Sequence, residues 1–267
     1  AVVGGIVFAK IKPMYEQASE EAYDKLTNLS ADNFHMLSNT VIYDKNGKKI
    51  GEINSGSSQY VDIKNISPYI QNGYIATEDK HFKTHAGIDL QSLTRAALAL
   101  VRHNGEITQG GSTITQQVIK NNLLTQEQSY SRKLTEVLLA PSLEKKFNKA
   151  EIMEFYCNSN FYGNRCYGVE TASQFYFGCS AKDVTLAQAA MLCGISNSPN
   201  KYNPIASMEL ATEKKEQILG NMKECGYITE KEYNAAMKEK IKVIGVDDQA
   251  SSENYMISYA IDCATIQ

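Results

Sequence analysis

Tryptophan, paired cysteine motifs and an excess of positive charge are all lacking in this sequence of 267 residues. The formal net charge is −3, so no overall positive field attracts nucleic acid, and an anionic partner has to be bound by local lysines and arginines. The cysteines form no CxxC pair and no zinc-finger spacing, so a structural metal is not expected. We treat them as unpaired, including Cys157 and Cys166, the candidate disulfide in an oxidising environment.

Long apolar runs are also lacking. Residues 1–9, AVVGGIVFA, are followed by Lys10 and Lys12, whereas a membrane-spanning helix needs about 20 apolar residues. We expect residues 1–10 to be the end of a truncated transmembrane anchor; a short buried segment and a signal-peptide remnant are the alternatives. The polar residues 11–37 predict a helical stalk, 38–245 the principal domain, and 246–267 the start of a linker toward a further domain.

Hydrophobic periodicity predicts a mainly α fold with one short N-terminal β-hairpin. The segment VIYDKNGKKIGEI predicts the hairpin, because two β-like runs flank Asn46-Gly47. Ser67 and Pro68 supply the N-cap and the first-turn proline of a helix that we expect to run to about Gly87. Further helices are predicted at 89–103, 113–124, 132–156 and 183–194, with a helical pair within 208–240.

The stretch ATEDKHFKTHAGIDL contains a glutamate with the surroundings of a general base. In a continuous helix Phe82 and His85 share one face with Glu78, while Asp79 points to a neighbouring face. A carboxylate beside an aromatic ring and an imidazole is held in one rotamer and partly desolvated, which is typical of a base. The alternative is an exposed helix with ordinary ion pairs.

The stretch GGSTITQQVIKN predicts a helix start that suits an anion. Its glycines give the backbone conformational freedom just before a helix that Ser112 or Thr113 can cap. Thr113 with Gln116 matches the capping-box pattern. The free N–H groups of such a start, with Gln116 and Lys120 on the same face, suit a pyrophosphate. No Gly-Lys-Ser follows the glycines, so nucleotide binding is disfavoured. The alternative is an ordinary capped helix with a solvated lysine.

The stretch SYSRKLTEVLLA places two cations close to a carboxylate. Arg132 is one turn before Glu136, and Lys133 is three residues before it; an exposed ion pair explains this pattern simply. In a functional interpretation, Arg132 and Lys133 neutralise phosphate oxygens, and Glu136 orients them or holds a divalent cation. Pro141 is expected to kink the helix that follows.

Five motifs in order, EDKHFKTHAGID, GGSTITQQ, RKLTE, KAEIMEFYCNSNFYG and AAMLCGISNSPNKYNP, resemble those of the peptidoglycan glycosyltransferases of family 51. These form the membrane-proximal domain of bifunctional class A penicillin-binding proteins. The resemblance implies a lysozyme-like helical domain with a small membrane-embedded jaw, which polymerises lipid II into glycan strands. It also implies a single-pass anchor, an extracytoplasmic location, a transpeptidase domain after the linker, and no organic cofactor.

By this resemblance, Glu78 matches the base that deprotonates the acceptor 4-hydroxyl. Glu136 matches the second glutamate, which acts through phosphate contacts or through a magnesium or manganese ion. Two sets of residues support them: Asp79, Phe82 and His85 in the first motif, and Ser112, Thr113, Gln116, Gln117, Lys120, Arg132 and Lys133 at the donor pyrophosphate. Because pyrophosphate leaves without protonation, one base and a basic patch replace the paired carboxylates of a glycosidase.

The sequence departs from the family pattern at Cys157, Cys193, Ile195 and Ser196, where we expect changes in packing only. Two other functions stay open. A lysozyme-like hydrolase or lytic enzyme also needs a glutamate but gains nothing from a phosphate site, and a non-catalytic membrane-attached scaffold has no chemical need for Glu78.

The expected partners are lipid II, the growing lipid-linked glycan chain, the membrane and other cell wall synthesis proteins. No nucleic acid is expected. The apolar segment LQSLTRAALALVRHNGEI is expected to dip into lipid, with Arg95 and Arg102 at the headgroups.

Overall fold

The computed structural model describes residues 2–34, 40–43, 49–53, 59–95, 111–124 and 130–245. Helix α1 (Val2–Thr27) is followed by a 3₁₀ turn at Ala31–Phe34. Strand β1 (Thr40–Tyr43) then pairs antiparallel with β2 (Lys49–Ile53). The predicted hairpin turn at Asn46-Gly47 and the predicted linker 246–267 lie outside the described residues.

The rest of the described chain is helical, which confirms the mainly α prediction. The helices are α2 (Pro68–Glu78), α3 (Ile114–Asn122), α4 (Tyr130–Lys146), α5 (Lys149–Ser159), α6 (Val169–Phe177), α7 (Leu186–Asn197), α8 (Met208–Glu224) and α9 (Glu230–Lys238). The last two are the helical pair predicted within 208–240.

Helix α7 is the central helix of the core. Its residues from Leu186 to Ile195 are buried almost without exception, so it is apolar on all sides, as expected of a helix surrounded by others. Helices α2 and α8 both pack against it. This arrangement brings the C-terminal ends of α2 and α7, at Glu78 and Asn197, to the same region of the molecule.

Two close contacts set the register of α2 against α7. A Cβ added to Gly73 would lie 2.9 Å from Cys193 Sγ, so the glycine allows the two helices to approach. One residue further on, the Tyr74 hydroxyl lies 2.9 Å from Ser196 Oγ and 2.6 Å from the Tyr162 hydroxyl. Burial raises the pKa of Tyr74 well above its ordinary value, so this phenol stays a neutral hydrogen-bonding group.

The predicted stalk is in contact with the rest of the domain. Ala18 and Ala22 of α1 are buried, and α1 packs along α4. Beyond the helix, the Phe34 ring stacks on that of Phe155 with a centroid distance of 4.3 Å. Part of 11–37 therefore contributes to the core, and the domain boundary at residue 38 stays a prediction.

Three predicted helices have different bounds. The helix predicted over 132–156 is two helices: the first ends at Lys146, and Asn148 caps the second in a capping box with Glu151. The helix from Pro68 ends at Glu78 rather than near Gly87. The helix predicted over 183–194 is α7, which begins at Leu186 and ends at Asn197. In addition, α6 was not predicted; Gly168 and Gly178, both at positive φ, flank it.

Two further predictions concern membrane contact and cysteines. Within the described residues, no helix combines the length and apolar character needed to cross a membrane. Most of the segment predicted to dip into lipid, 96–107, lies outside the described residues; in its described part, Leu90 and Leu93 are exposed. Cys157 and Cys166 are both free.

Candidate active site

Glu78 is the last residue of α2, and both of its carboxylate oxygens accept hydrogen bonds from amides. Gln117 Nε2 of α3 donates to Oε2 at 3.1 Å, and Asn197 Nδ2 of α7 donates to Oε1 at 2.8 Å. Gln117 is itself oriented by the Tyr156 hydroxyl, which donates to its Oε1 at 3.2 Å. Burial, and then the nearby Glu78 charge, raise the pKa of Tyr156 well above its usual value, so this hydroxyl remains a donor. The carboxylate is thus fixed by three helices.

Glu78 opens onto a cleft with a volume of about 560 Å³. Among the residues that the structure describes, it is the only carboxylate lining this cleft, whereas Lys80, Arg95 and Lys214 supply three positive charges. The remaining lining groups are hydroxyls and amides, which include Ser112 and Asn221. The cleft is therefore a polar, positively charged space with one acidic group, which suits an anionic substrate.

The expected helical face of Glu78, Phe82 and His85 is not formed. The chain leaves the helix at Asp79, whose carboxylate oxygen Oδ2 accepts a hydrogen bond from the backbone N–H of Ile114 at 3.0 Å. The same oxygen lies 2.8 Å from His85 Nε2. The backbone N–H of Gly87 donates to His85 Nδ1 at 3.0 Å, so the ring proton is on Nε2 and points at Asp79. His85 supports Asp79 instead of Glu78.

His85 and Phe82 belong to a buried network that joins the first motif to α3, α4 and α5. Glu144 Oε1 accepts hydrogen bonds from Thr115 Oγ1 and Lys149 Nζ, each at 2.6 Å, and lies 3.8 Å from His85 Nδ1. Lys149 Nζ also donates to the His85 carbonyl and lies 4.5 Å from the centre of the Phe82 ring. These side chains hold the turn after Glu78 in place, which is a positioning role.

The N-terminus of α3 has the predicted capping box but does not offer the predicted free N–H groups. Thr113 Oγ1 accepts from Gln116 N at 3.1 Å, and Gln116 Oε1 accepts from Thr113 N at 2.8 Å. The N–H of Ile114 is bound by Asp79, so a carboxylate of the protein already occupies the anion position. Thr113 and Gln116 are each only 1% exposed. Of the four residues predicted here at the donor site, Ser112 and Gln117 line the cleft.

Glu136 and Lys133 form a pair next to the cleft. The Glu136 carboxylate is buried, and Oε1 accepts a hydrogen bond from Lys133 Nζ. The same ammonium donates to Ser112 Oγ at 2.9 Å, while the Lys133 side chain remains 44% exposed. Glu136 therefore fixes a partly exposed cation beside Ser112, a residue of the cleft wall.

Lys120 and Arg132, the other two predicted cations, lie on α3 and α4 and are both partly buried. Lys120 is in the last turn of α3. Neither lines the cleft around Glu78 as the described residues define it. Their contact with a donor pyrophosphate stays a prediction.

Comparison with known proteins identifies the family of this chain. Residues 46–223 match the model of the family described as Transglycosylase. This chain belongs to the transglycosylase family. It is 40% identical over 200 residues to penicillin-binding protein 1A of Pseudomonas aeruginosa, covering 75% of this chain and 24% of that protein. It is 42% identical over 202 residues to penicillin-binding protein 1A of Aquifex aeolicus, covering 76% and 28%.

Among solved structures, the crystal structure of penicillin-binding protein 1A from Haemophilus influenzae matches with a TM-score of 0.47 and 21% identity, over 86% of this chain and 24% of that one. The chain thus spans about a quarter of the length of these relatives. It is a glycosyltransferase domain of the class A penicillin-binding protein type.

The divalent cation predicted at Glu136 stays a prediction for this transglycosylase domain. The described residues contain no group of three or more histidine, cysteine, aspartate or glutamate side chains arranged to hold a metal. The Glu136 carboxylate is instead bound by the Lys133 ammonium. Magnesium is usually bound by one or two carboxylates together with waters and substrate phosphates, so a metal ion at Glu136 would share this carboxylate with Lys133.

The transglycosylase cleft also contains residues that the sequence did not single out. Asn197 holds Glu78, while Lys80 and Lys214 line the cleft. Asn197 lies within the fifth motif, so the motif pointed to the segment but not to the side chain. Lys214 lies outside all five motifs, and no sequence signal marks it.

Proposed function

We propose that this domain is a peptidoglycan glycosyltransferase that polymerises lipid II into β-1,4-linked glycan strands in bacterial cell wall synthesis. The observation that carries the proposal is the Glu78 carboxylate, held by two amides in a cleft whose other charged groups in the described chain are cations. A donor with a lipid pyrophosphate leaving group needs one base and positive charge, because pyrophosphate leaves without taking up a proton.

Glu78 acts as the general base. Each carboxylate oxygen can accept two hydrogen bonds, and one position on each is taken by Gln117 or Asn197. The remaining positions accept the 4-hydroxyl of the acceptor lipid II. As that oxygen attacks the anomeric carbon of the growing chain, its proton moves to Glu78 and the bond from the anomeric carbon to the pyrophosphate oxygen breaks.

The pyrophosphate binds on the side of Ser112 and Lys133. The Lys133 ammonium is partly exposed and its third hydrogen is directed to neither Ser112 nor Glu136, so it can donate to a phosphate oxygen. Arg132 lies next to Lys133 on α4, and Lys120 lies on α3. Attack from the side opposite the leaving group inverts the α linkage of the donor to the β linkage of the product.

Glu136 is a positioning residue for this cation. Because its buried carboxylate binds Lys133, it holds the ammonium beside Ser112. We assign it this role in place of metal binding, and no step of the mechanism passes through a metal ion. Thr113 and Gln116 contribute by fixing the start of α3, which carries Gln117.

The cellular setting belongs to the same proposal. The domain has a lysozyme-like fold with a small membrane-embedded jaw, and it acts at the outer face of the cell membrane on a single-pass anchor. Leu90 and Leu93, which begin the segment predicted to dip into lipid, are exposed, and this supports contact with lipid. The growing lipid-linked chain and other cell wall synthesis proteins are its partners, and a transpeptidase domain follows 246–267.

A lysozyme-like hydrolase is the second candidate. Glycosidases of that type use two carboxylates around the scissile bond. Glu78 is the only carboxylate that lines the cleft in the described part of the chain, which favours transfer over hydrolysis.

The test is to incubate the chain with lipid II in detergent and to determine the size of the products. We expect long glycan strands and release of lipid pyrophosphate from the native chain. Glu78→Gln should lower the rate by about 10² to 10⁴ while keeping the fold, because the amide has the shape but not the basicity of the carboxylate. Short hydrolysed saccharides would favour the hydrolase, and absence of any product would favour a scaffold.

A further inference from the structure

Helix α1 packs along α4, the helix that carries three of the residues proposed at the donor site. Ala18 and Ala22, one turn apart on α1, are buried, and their small side chains allow a close approach of the two helices. At the far end of the contact, Lys146 Nζ donates to the Leu29 carbonyl oxygen. The contact therefore reaches the last turn of α4.

A hydrogen bond joins α1 to the first half of α4. Thr135 Oγ1 lies 3.1 Å from Glu21 Oε2 and 3.1 Å from the Ser131 carbonyl oxygen, so two acceptors share its proton. Thr135 is 0% exposed, whereas the Glu21 side chain is 38% exposed. The other oxygen of this carboxylate, Oε1, lies 3.7 Å from Lys25 Nζ. One carboxylate of α1 thus has a polar contact with a buried residue of α4.

Thr135 lies among the residues proposed to bind the donor pyrophosphate. Lys133 precedes it by two residues and Glu136 follows it directly. Arg132, three residues before Thr135, lies on the same side of the helix. A shift of this part of α4 would displace all three groups together, and a displacement of about 1 Å is enough to impair an enzyme site.

We propose that Glu21 is a positioning residue for the donor site. By accepting the hydrogen bond of Thr135, Glu21 holds the first turns of α4, and with them Arg132, Lys133 and Glu136, where they bind pyrophosphate. Glu21 itself does not touch the substrate. This inference rests on the proposed function, and it gives a role in donor binding to α1, which lies outside all five sequence motifs.

The first measurement is the affinity of the whole chain for a labelled phosphoglycolipid of the moenomycin type. Glu21→Leu should weaken this binding by about three- to tenfold, the range that the energy of one hydrogen bond allows. Thr135→Val, which keeps the shape but removes the hydroxyl, should weaken it to the same extent. The double variant should bind no more weakly than either single variant, because both substitutions remove the same interaction.

Two further variants separate the hydrogen bond from other effects. Glu20→Leu makes the same substitution at the neighbouring, exposed position of α1 and should bind the phosphoglycolipid as the native chain does. Glu21→Gln should also bind as the native chain does, because its amide oxygen still accepts from Thr135. Weak binding by Glu21→Gln would mean that the charge of Glu21 acts rather than this hydrogen bond, which would overturn the proposal.

Lipid II kinetics and thermal unfolding distinguish positioning from simple stabilisation. In Glu21→Leu, KM for lipid II should rise by the same factor as the phosphoglycolipid dissociation constant, with kcat within about twofold of native. A lower Tm in Glu21→Leu with unchanged affinity and KM would show a structural role only and overturn the proposal. Equal affinities in Glu21→Leu and Glu20→Leu would overturn it too. Absence of polymer from the native chain would instead refute the proposed function.

Discussion

Glu78 is held by side chains that are far from it in sequence, Gln117 at 39 residues and Asn197 at 119 residues. An amide can donate to a carboxylate but cannot take its proton, so these two groups orient the base without competing with it. The carboxylates that do have strong partners, Asp79 with His85 and Glu136 with Lys133, are used to position other groups. The base differs from them in facing an open cleft.

The substitution Asn197→Asp tests whether Asn197 positions the Glu78 carboxylate. The new carboxylate would lie next to the base, and two adjacent negative charges disfavour each other's ionisation. We expect the acid limb of the pH–rate profile to move to higher pH by about one unit or more, with a lower rate at neutral pH. The measurement is the initial rate of lipid II polymerisation between pH 5 and 9.

The matched control for this prediction is Asn221→Asp. Asn221 lines the same cleft, and no hydrogen bond from it to Glu78 is observed in the described structure. The Asn221→Asp variant adds the same charge to the cleft without the direct contact to Glu78, so the acid limb of its pH–rate profile should move clearly less. Equal shifts in the two variants would mean that Asn197 does not position Glu78.

At the scale of elements, the sequence predicted those helix boundaries that are set by neighbouring residues. Thr113 and Gln116 form the expected capping box, and Pro68 begins the expected helix. The end of that helix could not be predicted, because Asp79 leaves it to bind the N–H of Ile114, 35 residues away. The break before α5 had a local signal, Asn148 with Glu151, which outweighs the apolar periodicity across it.

Gly87→Ala should disrupt the support of the first motif. Gly87 has φ +92°, and an added Cβ would lie 2.5 Å from the Ala140 carbonyl carbon and oxygen. We expect a loss of about 3 kcal/mol or more in the free energy of unfolding, from backbone strain and overpacking together. Urea unfolding followed by circular dichroism measures it.

Gly226→Ala is the control for this change. Gly226 also has a positive φ, +72°, but nothing lies within 4 Å of its added Cβ. Gly226→Ala should lower the free energy of unfolding only by the backbone strain, about 1 to 2 kcal/mol. If both variants lost the same stability, the contact between Gly87 and α4 would not be a close one.

Asp89 makes the helical stretch at 90–95 sensitive to acid. Burial by itself raises the pKa of the Asp89 carboxyl, but hydrogen bonds from Ser92 and His81 outweigh it and hold this pKa well below its usual range. A lowered pKa stabilises the fold above the unfolded value of about 4, and this stabilisation is lost as the pH falls through the folded value.

We therefore expect native chain and Asp89→Asn to differ most in urea midpoint at neutral pH. The difference should shrink steadily below about pH 4. A difference that stays constant from pH 7 to pH 2.5 would contradict this role of the carboxylate.

At the scale of the whole molecule, the active site lies where the ends of three elements meet around the central helix α7. Glu78 ends α2, Asn197 ends α7, and Gln117 lies one turn into α3. The sequence motifs identified Glu78, Gln117 and the Lys133–Glu136 pair. They could not identify Lys214, because its place on the cleft depends on how α8 packs against α7, where a Cβ at Gly194 would lie 3.0 Å from Lys214 Cγ.

The central claim is that Glu78 performs the chemistry while a separate group of cations binds the donor pyrophosphate. The most direct measurement titrates native chain, Glu78→Gln, Lys133→Ala and Glu136→Gln with a labelled phosphoglycolipid of the moenomycin type, with and without magnesium, beside polymerisation rates. We predict that Glu78→Gln keeps near-native affinity but loses polymerisation, because a base matters most in the transition state. Lys133→Ala should bind clearly more weakly, and Glu136→Gln should lie between them with no magnesium dependence of its own. Loss of affinity in Glu78→Gln as large as in Lys133→Ala would contradict the separation of base and donor site.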